Sequence, residues 1–243
     1  MKIAVTSQAR PRVAQPLADS GWLERVDDPA EARGHDWLLQ LDRDRLALSR
    51  PGEQGKPVVV DFSEGPVGWR RARAHQERLV RACGLTRAHP PREIVDTTGG
   101  FARDTGLLTA GGARVTLLER HPLLHSLIAD GVARAEPGLA QQIQLVHAEG
   151  TDWLAGRSQI LDVVYMDPMF PPIRSKQALK KEQHWLRLLA GEPSAQEEHH
   201  LLTTARTHAR RVVVKRPHDA QPLDGVPPHH HLPGPAVRFD VYD

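Results

Sequence analysis

The residues best suited to chemistry stand together at Asp167-Pro168-Met169-Phe170. An exocyclic amine on an aromatic base is a poor nucleophile, because its lone pair is delocalised into the ring. The carboxylate of Asp167 and the carbonyl of Pro168 can accept its two hydrogens and direct the lone pair towards an electrophilic carbon, while the proline ring stiffens the turn. Phe170 can stack on the base, a contact worth about 1–3 kcal/mol. The plainer explanation of an Asp-Pro pair is a tight turn that ends a strand.

Two other features have the spacing of an adenosine site. A turn from Asp96 to Asp104 contains Gly99 and Gly100, which let the backbone approach a ligand next to the start of a helix. Glu119 follows the next predicted strand and can accept hydrogen bonds from both hydroxyls of a ribose. Glu119 could equally be a solvated acid paired with Arg120, and these two features alone also fit NAD.

The tetrapeptide at Asp167 decides against NAD. Asp-Pro-Pro-Tyr-like tetrapeptides at the end of a fourth strand are typical of methyltransferases that act on amino nitrogens. Such catalysis is mostly positioning, because holding donor and acceptor in line supplies most of the acceleration. No metal is required, and neither His199-His200 nor His229 to His231 has the companion cysteines of a zinc site.

The elements that must position these residues alternate between strand and helix from residue 93 onwards. The predicted strands lie at 94–95, 114–118, 143–146, 161–166 and 211–214, and the helices near 103–110, 122–135, 176–190 and 195–208. This alternation predicts an α/β fold with a doubly wound, mainly parallel sheet whose ligand lies at the carboxyl ends of the strands. Residues 238–242 alternate like an antiparallel edge strand.

The first third of the chain has a different pattern. Short apolar runs at 36–41, 45–48 and 58–62, separated by turn residues, predict a small β-rich module over residues 1–64. A linking helix is expected within residues 65–92, over 67–83, with Leu79, Val80 and Cys83 on its buried side. Residues 93–243 then form the domain that carries the motifs.

Composition limits the class of protein. The 243 residues are 40% hydrophobic and 26% charged, which suits a globular chain with a sizeable core. A net charge of +2 does not by itself establish a nucleic-acid partner. No run approaches the roughly 18 apolar residues of a membrane span, so no membrane partner is expected. Cys83 is the single cysteine and allows no internal disulfide, which suits the cytoplasm.

Taken together, the motifs resemble those of the bacterial ribosomal RNA small subunit methyltransferase J family, which methylates guanine N2 in 16S ribosomal RNA. The resemblance runs from about Val58 to the C-terminus, and the first 55 or so residues match poorly. It includes residues 59–62, 96–104 and 117–120, and its most distinctive stretches are residues 164–171, 178–182, 211–217 and 238–242. The resemblance implies a Rossmann-like class I fold, S-adenosylmethionine as cofactor, and small-subunit ribosomal RNA or the 30S particle as partner.

The resemblance also assigns residues. It implies that the cofactor is contacted by Asp96 and Gly99 in the turn. It also implies contacts from Arg103, Asp104, Glu119, Arg120, Glu149, Gly150 and Asp167. The acceptor would be the 2-amino group of a guanine near the 3′ end of the RNA. Two positions depart from the pattern. Phe101-Ala102 stands where Leu-Gly is typical, and Glu149-Gly150 replaces small hydroxyl residues.

Four basic residues follow strands four and five on the face where RNA must arrive. Lys180, Lys181, Lys215 and Arg216 are therefore candidates for phosphate contacts. A solvated helix start explains the lysine pair almost as well. The arginines of residues 70–81 are a second candidate RNA surface, although such a run is more often a solvated helix face.

Other functions stay open at this point. Adenine-N6 and protein-glutamine methyltransferases use similar tetrapeptides, and a ribosome-assembly protein that binds RNA without catalysis would share the basic residues. Nucleoside analysis separates the first two from guanine-N2 transfer, and cofactor titration tests the third.

Overall fold

The computed structural model of the chain describes residues 1–63, 73–86, 92–168, 181–191 and 193–243. Two sheets form within these ranges. The smaller sheet contains β1 (Ile3–Thr6), β2 (Leu23–Val26), β3 (Trp37–Asp42), β4 (Arg45–Ser49) and β5 (Val58–Val59). Its order is β2-β1-β3-β4-β5. β1 is parallel to β2 and β3, whereas β3, β4 and β5 are antiparallel, so the predicted β-rich module contains a mixed sheet.

The larger sheet has the doubly wound arrangement that the sequence predicted. Its strands are β6 (Glu93–Asp96), β7 (Arg114–Leu118), β8 (Ile143–Val146), β9 (Leu161–Met166), β10 (Ala209–Pro217), β11 (His230–Leu232) and β12 (Val237–Tyr242). The order is β11-β12-β10-β9-β6-β7-β8. The five strands from β10 to β8 are parallel, and β12 is antiparallel to both of its neighbours.

Helices cover both faces of the larger sheet and one face of the smaller. They are α1 (Gln15–Ala18), α2 (Arg78–Ala82), α3 (Arg103–Ala110), α4 (Pro122–Arg134), α5 (Pro137–Ala140), α6 (Gly150–Ala155), α7 (Lys181–Ala190) and α8 (Ala195–His208). Short 3-10 turns occur at Arg10–Arg12, Pro29–Ala32, Ala74–Gln76 and Leu223–Gly225. Alternate residues of one strand face opposite layers: Ile94 packs in the core with α4, and Val95 in the core with α6 and α8.

Three predicted elements differ from the structure. The helix expected over 67–83 is not continuous, because Glu77 is extended (ψ 134°) and α2 begins only at Arg78. Leu79, Val80 and Cys83 are buried as predicted. Of the described residues 73–78 that precede them, only Ala74 packs into the core. The strand expected over 58–62 ends at Val59, since the carbonyl of Val60 accepts a hydrogen bond from Arg134 (2.6 Å).

The third difference concerns the end of the chain. Residues 238–242 are antiparallel as predicted, but β12 is not an edge strand, because β11 pairs with its outer side. The backbone of His230 to Leu232 supplies this pairing, whereas the side chains of His230 and His231 are exposed. A polar three-residue strand between prolines lacks the apolar alternation by which a strand is recognised.

The two sheets share one hydrophobic core. Leu17 and Leu46 of the N-terminal part pack in the same buried cluster as Leu124 and Ile128 of α4. The buried carboxylate of Asp130 on α4 accepts hydrogen bonds from the backbone N–H of Leu46 (3.0 Å), from Arg12 (3.0 Å) and from Arg134 (2.8 Å). The N-terminal sheet is therefore fixed against the helix that follows β7.

No helix in the described part of the chain has the length and apolar character needed to cross a membrane.

Candidate active site

The site forms where β6, β9 and β10 end side by side. The register pairs Asp96 on β6 and Val213 on β10 with Tyr165 on β9. Because side chains alternate along a strand, Asp96, Tyr165 and Asp167 fall on one face of the sheet. The last pair of β9 and β10 is Val214 with Met166, so Lys215 follows at the level of Asp167. Four polar side chains thus meet at the carboxyl edge, where doubly wound sheets bind their ligands.

The turn after β6 joins this edge to Glu119. The hydroxyl Oγ1 of Thr98 accepts a hydrogen bond from the backbone N–H of Asp167 (2.7 Å). Two residues further on, the N–H of Gly100 donates to Oε2 of Glu119 (2.8 Å). A Cβ on Gly99 would lie 3.0 Å from the carbonyl oxygen of Leu118 and 3.1 Å from Cβ of Glu119. Glycine at position 99 therefore lets the turn lie against the end of β7.

Glu119 is a buried carboxylate that is ready to accept further hydrogen bonds. Its side chain receives the N–H groups of Gly100 and His121 (2.7 Å), and the residue is 6% exposed. Burial raises the pKa of Glu119 to about 7, although the two backbone N–H groups oppose the shift. Each carboxylate oxygen has a second lone pair, so the group can also accept from a pair of hydroxyls.

Asp96 is held almost as rigidly. Its carboxylate accepts from the hydroxyl of Thr105 (2.6 Å) and the backbone N–H of Thr98 (3.1 Å), and it is 1% exposed. Burial raises the pKa of Asp96 to about 7, against the effect of those two hydrogen bonds. Asp96 fixes both the glycine turn and the first turn of α3, and Thr98 and Thr105 are partners that the sequence analysis did not identify.

Lys215 joins two carboxylates at the centre of the site. Its ammonium lies 2.8 Å from Oδ2 of Asp104 and 2.8 Å from Oδ2 of Asp167. The hydroxyl of Tyr165, which is fully buried, donates to the same oxygen of Asp104 (2.6 Å). The sequence alone suggested that Lys215 contacts RNA phosphates. In the structure its ammonium faces these two acids instead, because the register of β9 and β10 brings Lys215 next to Asp167.

The ionisation of this group follows from its contacts. Burial raises the pKa of Asp167, and the neighbouring Lys215 ammonium opposes that shift. Burial alone would lower the pKa of Lys215, but the charges of Asp167 and Asp104 outweigh it and raise that pKa. The lysine is therefore a permanent cation between two acids.

The structure describes only part of the predicted tetrapeptide. Asp167 is half-buried and Pro168 is buried at the end of β9. Met169 and Phe170 lie outside the described residues, as does Lys180. The stacking role of Phe170 and the phosphate role of Lys180 therefore stay predictions.

The other predicted cofactor residues surround the site at its rim. Arg103, at the start of α3, forms an ion pair with Glu182. Arg120 donates to the carbonyl of Ala190 (3.2 Å) and faces Glu197 (3.6 Å). Arg103 therefore connects the start of α3 to the start of α7, and Arg120 connects the end of β7 to the end of α7 and the start of α8.

Glu149 and Gly150 lie at the end of β8. The carboxylate of Glu149 caps α6 by accepting from the N–H of Thr151 (2.5 Å) and Asp152 (3.3 Å). A Cβ on Gly150 would lie 3.1 Å from Cβ of Thr97, so glycine allows α6 to start against the turn after β6. Glu149 is therefore the N-cap residue of α6.

The remaining RNA candidates have local partners. Lys181 donates to the carbonyl of Lys56 (2.8 Å) and lies over the ring of Trp185 (4.2 Å). Arg216 donates to the carbonyl of Gln221 (2.8 Å). Of the arginines in 70–81, those at 73, 78 and 81 are exposed, and those at 70 and 71 lie outside the described residues.

The charges of the site suit a cationic adenosyl ligand. Asp96, Asp104, Glu119 and Asp167 supply four carboxyl groups, and Lys215 is the cation placed among them. A sulfonium and an amino group together carry two positive charges, and a ribose supplies the hydroxyls that Glu119 can bind.

The strand order, the antiparallel β12 and the acidic carboxyl edge define a Rossmann-like methyltransferase that uses S-adenosylmethionine. A family model described as "Putative SAM-dependent methyltransferase" matches residues 25–243. The crystal structure of a SAM-dependent methyltransferase from Neisseria gonorrhoeae has 31% identity and a TM-score of 0.74, and the match covers 100% of this chain and 95% of that one.

Sequence relatives give the particular family. The ribosomal RNA small subunit methyltransferase J of Alkalilimnicola ehrlichii is 41% identical, over 96% of this chain and 91% of its own length. That of Alcanivorax borkumensis is 40% identical over 89% of each chain. The chain belongs to the ribosomal RNA small subunit methyltransferase J family. The match includes much of the N-terminal sheet, beyond the start near Val58 that the motifs alone indicated.

Proposed function

We propose that this chain transfers a methyl group from S-adenosylmethionine to the exocyclic N2 of a guanine in small-subunit ribosomal RNA, in the bacterial cytoplasm. The names of the relatives support a small-subunit RNA substrate, and the resemblance of the motifs supports guanine N2. The target base must be unpaired or flipped out of its stack to enter the site.

One observation carries the proposal. The turn after β6 is hydrogen-bonded at one end to Asp167 and at the other to Glu119. A cofactor whose ribose is held by Glu119 would therefore have its reactive end beside the carboxylate that receives the amine. A glycine turn and an acid without this second contact would serve NAD equally well.

Each residue then has a defined task. The cofactor supplies an activated methyl carbon on a positively charged sulfur. Glu119 accepts the ribose hydroxyls, and Asp96 keeps the glycine turn against them. Asp167 and the carbonyl of Pro168 accept the two N–H groups of the amine and direct its lone pair. As the nitrogen–carbon bond forms and the carbon–sulfur bond breaks, the surplus proton leaves the nitrogen through Asp167 to solvent.

Guanine suits this pair of acceptors. Its Watson–Crick edge presents N1–H beside the N2 amino group, so the face nearest the acids consists of donors. Adenine presents an unprotonated N1 beside its N6 amino group and therefore lacks this additional donor. We place Lys181 and Arg216 among the contacts to RNA phosphates, together with Lys180.

The proposal is tested by nucleoside mass analysis of small-subunit RNA from a strain that lacks the gene. We expect one N2-methylguanosine to disappear and to return when the wild-type gene is supplied. Unchanged N2-methylguanosine together with a lost N6-methyladenosine would show that the acceptor is adenine N6, and an unchanged set of RNA nucleosides together with a methylglutamine lost from the ribosomal proteins would show a protein acceptor. Failure of the purified protein to bind S-adenosylmethionine would instead favour a non-catalytic assembly factor.

A further inference from the structure

We infer that Lys215 is a positioning residue: held by Asp104, whose carboxylate also accepts from Tyr165, it fixes the carboxylate of Asp167 so that Oδ1 faces the amine to be methylated. This inference rests on the proposed function and adds to it a residue that the tetrapeptide does not contain. It also replaces the phosphate contact that the sequence suggested for Lys215.

The backbone pairing of β9 and β10 determines that Lys215 lies next to Asp167. β9 and β10 are paired from Ala209 with Leu161 to Val214 with Met166, so the level of Lys215 relative to Asp167 is set by a ladder of buried residues. The backbone of Asp167 is fixed separately, because its N–H donates to Thr98. With the backbone fixed, the direction of the Asp167 carboxylate depends only on rotation about the bonds of its side chain.

Lys215 determines that rotation. Its ammonium donates to Oδ2 of Asp167 and to Oδ2 of Asp104, both at 2.8 Å. Asp104 cannot follow a movement of the lysine easily, because the fully buried Tyr165 also donates to its Oδ2. Within the described part of the chain, Oδ1 of Asp167 has no hydrogen-bond donor, which leaves this oxygen for an incoming N–H.

The same contact has an electrostatic consequence. Asp167 lies among Asp96 and Asp104, so burial and like charges disfavour its ionised form. An ammonium at 2.8 Å favours the ionised form. Only an ionised Asp167 can accept the N–H of the amine at either oxygen and later take up the proton. Lys215 thus supports both the direction and the charge of the carboxylate.

A phosphate contact and a positioning role of Lys215 predict different changes in the kinetic constants of a Lys215 variant. Loss of a phosphate contact weakens RNA binding, lowers the salt dependence of the reaction and raises KM for RNA. Loss of the positioning contact lowers kcat and moves the acid limb of the pH–rate profile, because Asp167 then protonates at a higher pH.

The test compares Lys215→Met and Lys215→Arg with wild type, using purified full-length protein, S-adenosylmethionine and small-subunit RNA. Arg210→Met is the matched control, since it removes a cation from the exposed amino end of the same strand. For Lys215→Met we expect kcat to fall by about tenfold or more, KM for RNA to stay within about twofold, and the acid limb to move up by about one pH unit or more.

Lys215→Arg keeps the charge and should retain the wild-type acid limb with an intermediate kcat. A Lys215→Met enzyme with wild-type kcat, or with a raised RNA KM and an unmoved acid limb, would overturn the inference. If Lys215→Met does not fold, Lys215→Gln decides on the same criteria. Absence of N2-methylguanosine from the wild-type reaction would defeat the proposed function rather than the role of Lys215.

Discussion

Oγ1 of Thr98 accepts the backbone N–H of Asp167 across two neighbouring strands, at 2.7 Å. The N–H of Thr98 in turn donates to Asp96 at 3.1 Å, so a single residue connects the acid after β6 with the acid after β9. This hydrogen bond fixes the backbone of Asp167 against the turn after β6. Changes at Asp167 should therefore alter chemistry before they alter the fold.

Replacing Asp167 by alanine should reduce methyl transfer by about 100-fold or more, because the amine loses the acceptor that directs its lone pair. Lys215 keeps Asp104 as a partner, so the variant should remain folded by circular dichroism. Asp162→Ala, at the amino end of the same strand, is the control and should retain activity. Near-normal initial rates for Asp167→Ala would remove this residue from the mechanism.

Stability should depend on pH through Glu119. Burial raises its pKa from 4.5 to about 7, so the folded state favours the protonated form. The resulting stabilisation is fully present below about pH 4.5 and is lost as the pH rises to about 7. Its size is on the order of 3 kcal/mol. Urea unfolding across this window should show a smaller decline for Glu119→Gln than for wild type, whereas equal declines would contradict the prediction.

Cofactor affinity should change with pH in the opposite direction. Ribose hydroxyls donate more strongly to an ionised carboxylate than to a neutral one. The Kd of S-adenosylhomocysteine, measured by calorimetry, should therefore fall as the pH rises through about 7, where Glu119 ionises. In Glu119→Gln we expect weaker binding that no longer follows this titration. A pH dependence that survives in the variant would assign the effect to another group.

Ala102 should tolerate glycine but not valine. Its φ is +54°, where a Cβ costs about 1–2 kcal/mol. Two effects of alanine offset a similar amount of free energy: the methyl group is buried, and alanine lowers the conformational entropy of the unfolded chain relative to glycine. Ala102→Gly should therefore lie within about 0.5 kcal/mol of wild type, and Ala102→Val should lose about 2 kcal/mol or more. A large gain from Ala102→Gly in urea unfolding would show that the methyl group contributes no packing.

The contact between α4 and the N-terminal part can be tested at Gly131. A Cβ there would lie 2.7 Å from Cγ1 and 2.9 Å from the carbonyl oxygen of Val60. Alanine usually stabilises a helix by about 1 kcal/mol relative to glycine. Gly131→Ala should instead lose about 1–3 kcal/mol. The control Gly138→Ala, in α5 with nothing within 4 Å of the added Cβ, should be neutral or stabilising.

The sequence predicted what depends on local pattern. The strands β7 and β9 and the helices α3 and α4 lie within a residue or two of their predicted bounds, because apolar periodicity and turn residues mark them directly. Asp96, Glu119 and Asp167 gather at one edge, because parallel strands bring their carboxyl ends together.

What depends on register could not be predicted. Lys215 was assigned to RNA because it follows strand five on the face where RNA must arrive, yet its partner is decided by which residue of β9 stands opposite. Tyr165 lies in one of the stretches that carried the family resemblance, but no role was predicted for it. Its hydroxyl contacts Asp104 only because β9 packs against α3. The strand β11 was missed because two of its three residues are exposed histidines, so the segment lacks apolar alternation.

The burial of Asp130 limits how the chain can be divided. Its carboxylate has no exposed side-chain surface and depends on Leu46 and Arg12 from the first fifty residues. A fragment beginning at residue 93 would leave that charge with a single arginine and would uncover the leucines of α4 to water. Such a fragment should be insoluble when expressed alone, because the methyltransferase fold and the sheet before it depend on each other for folding.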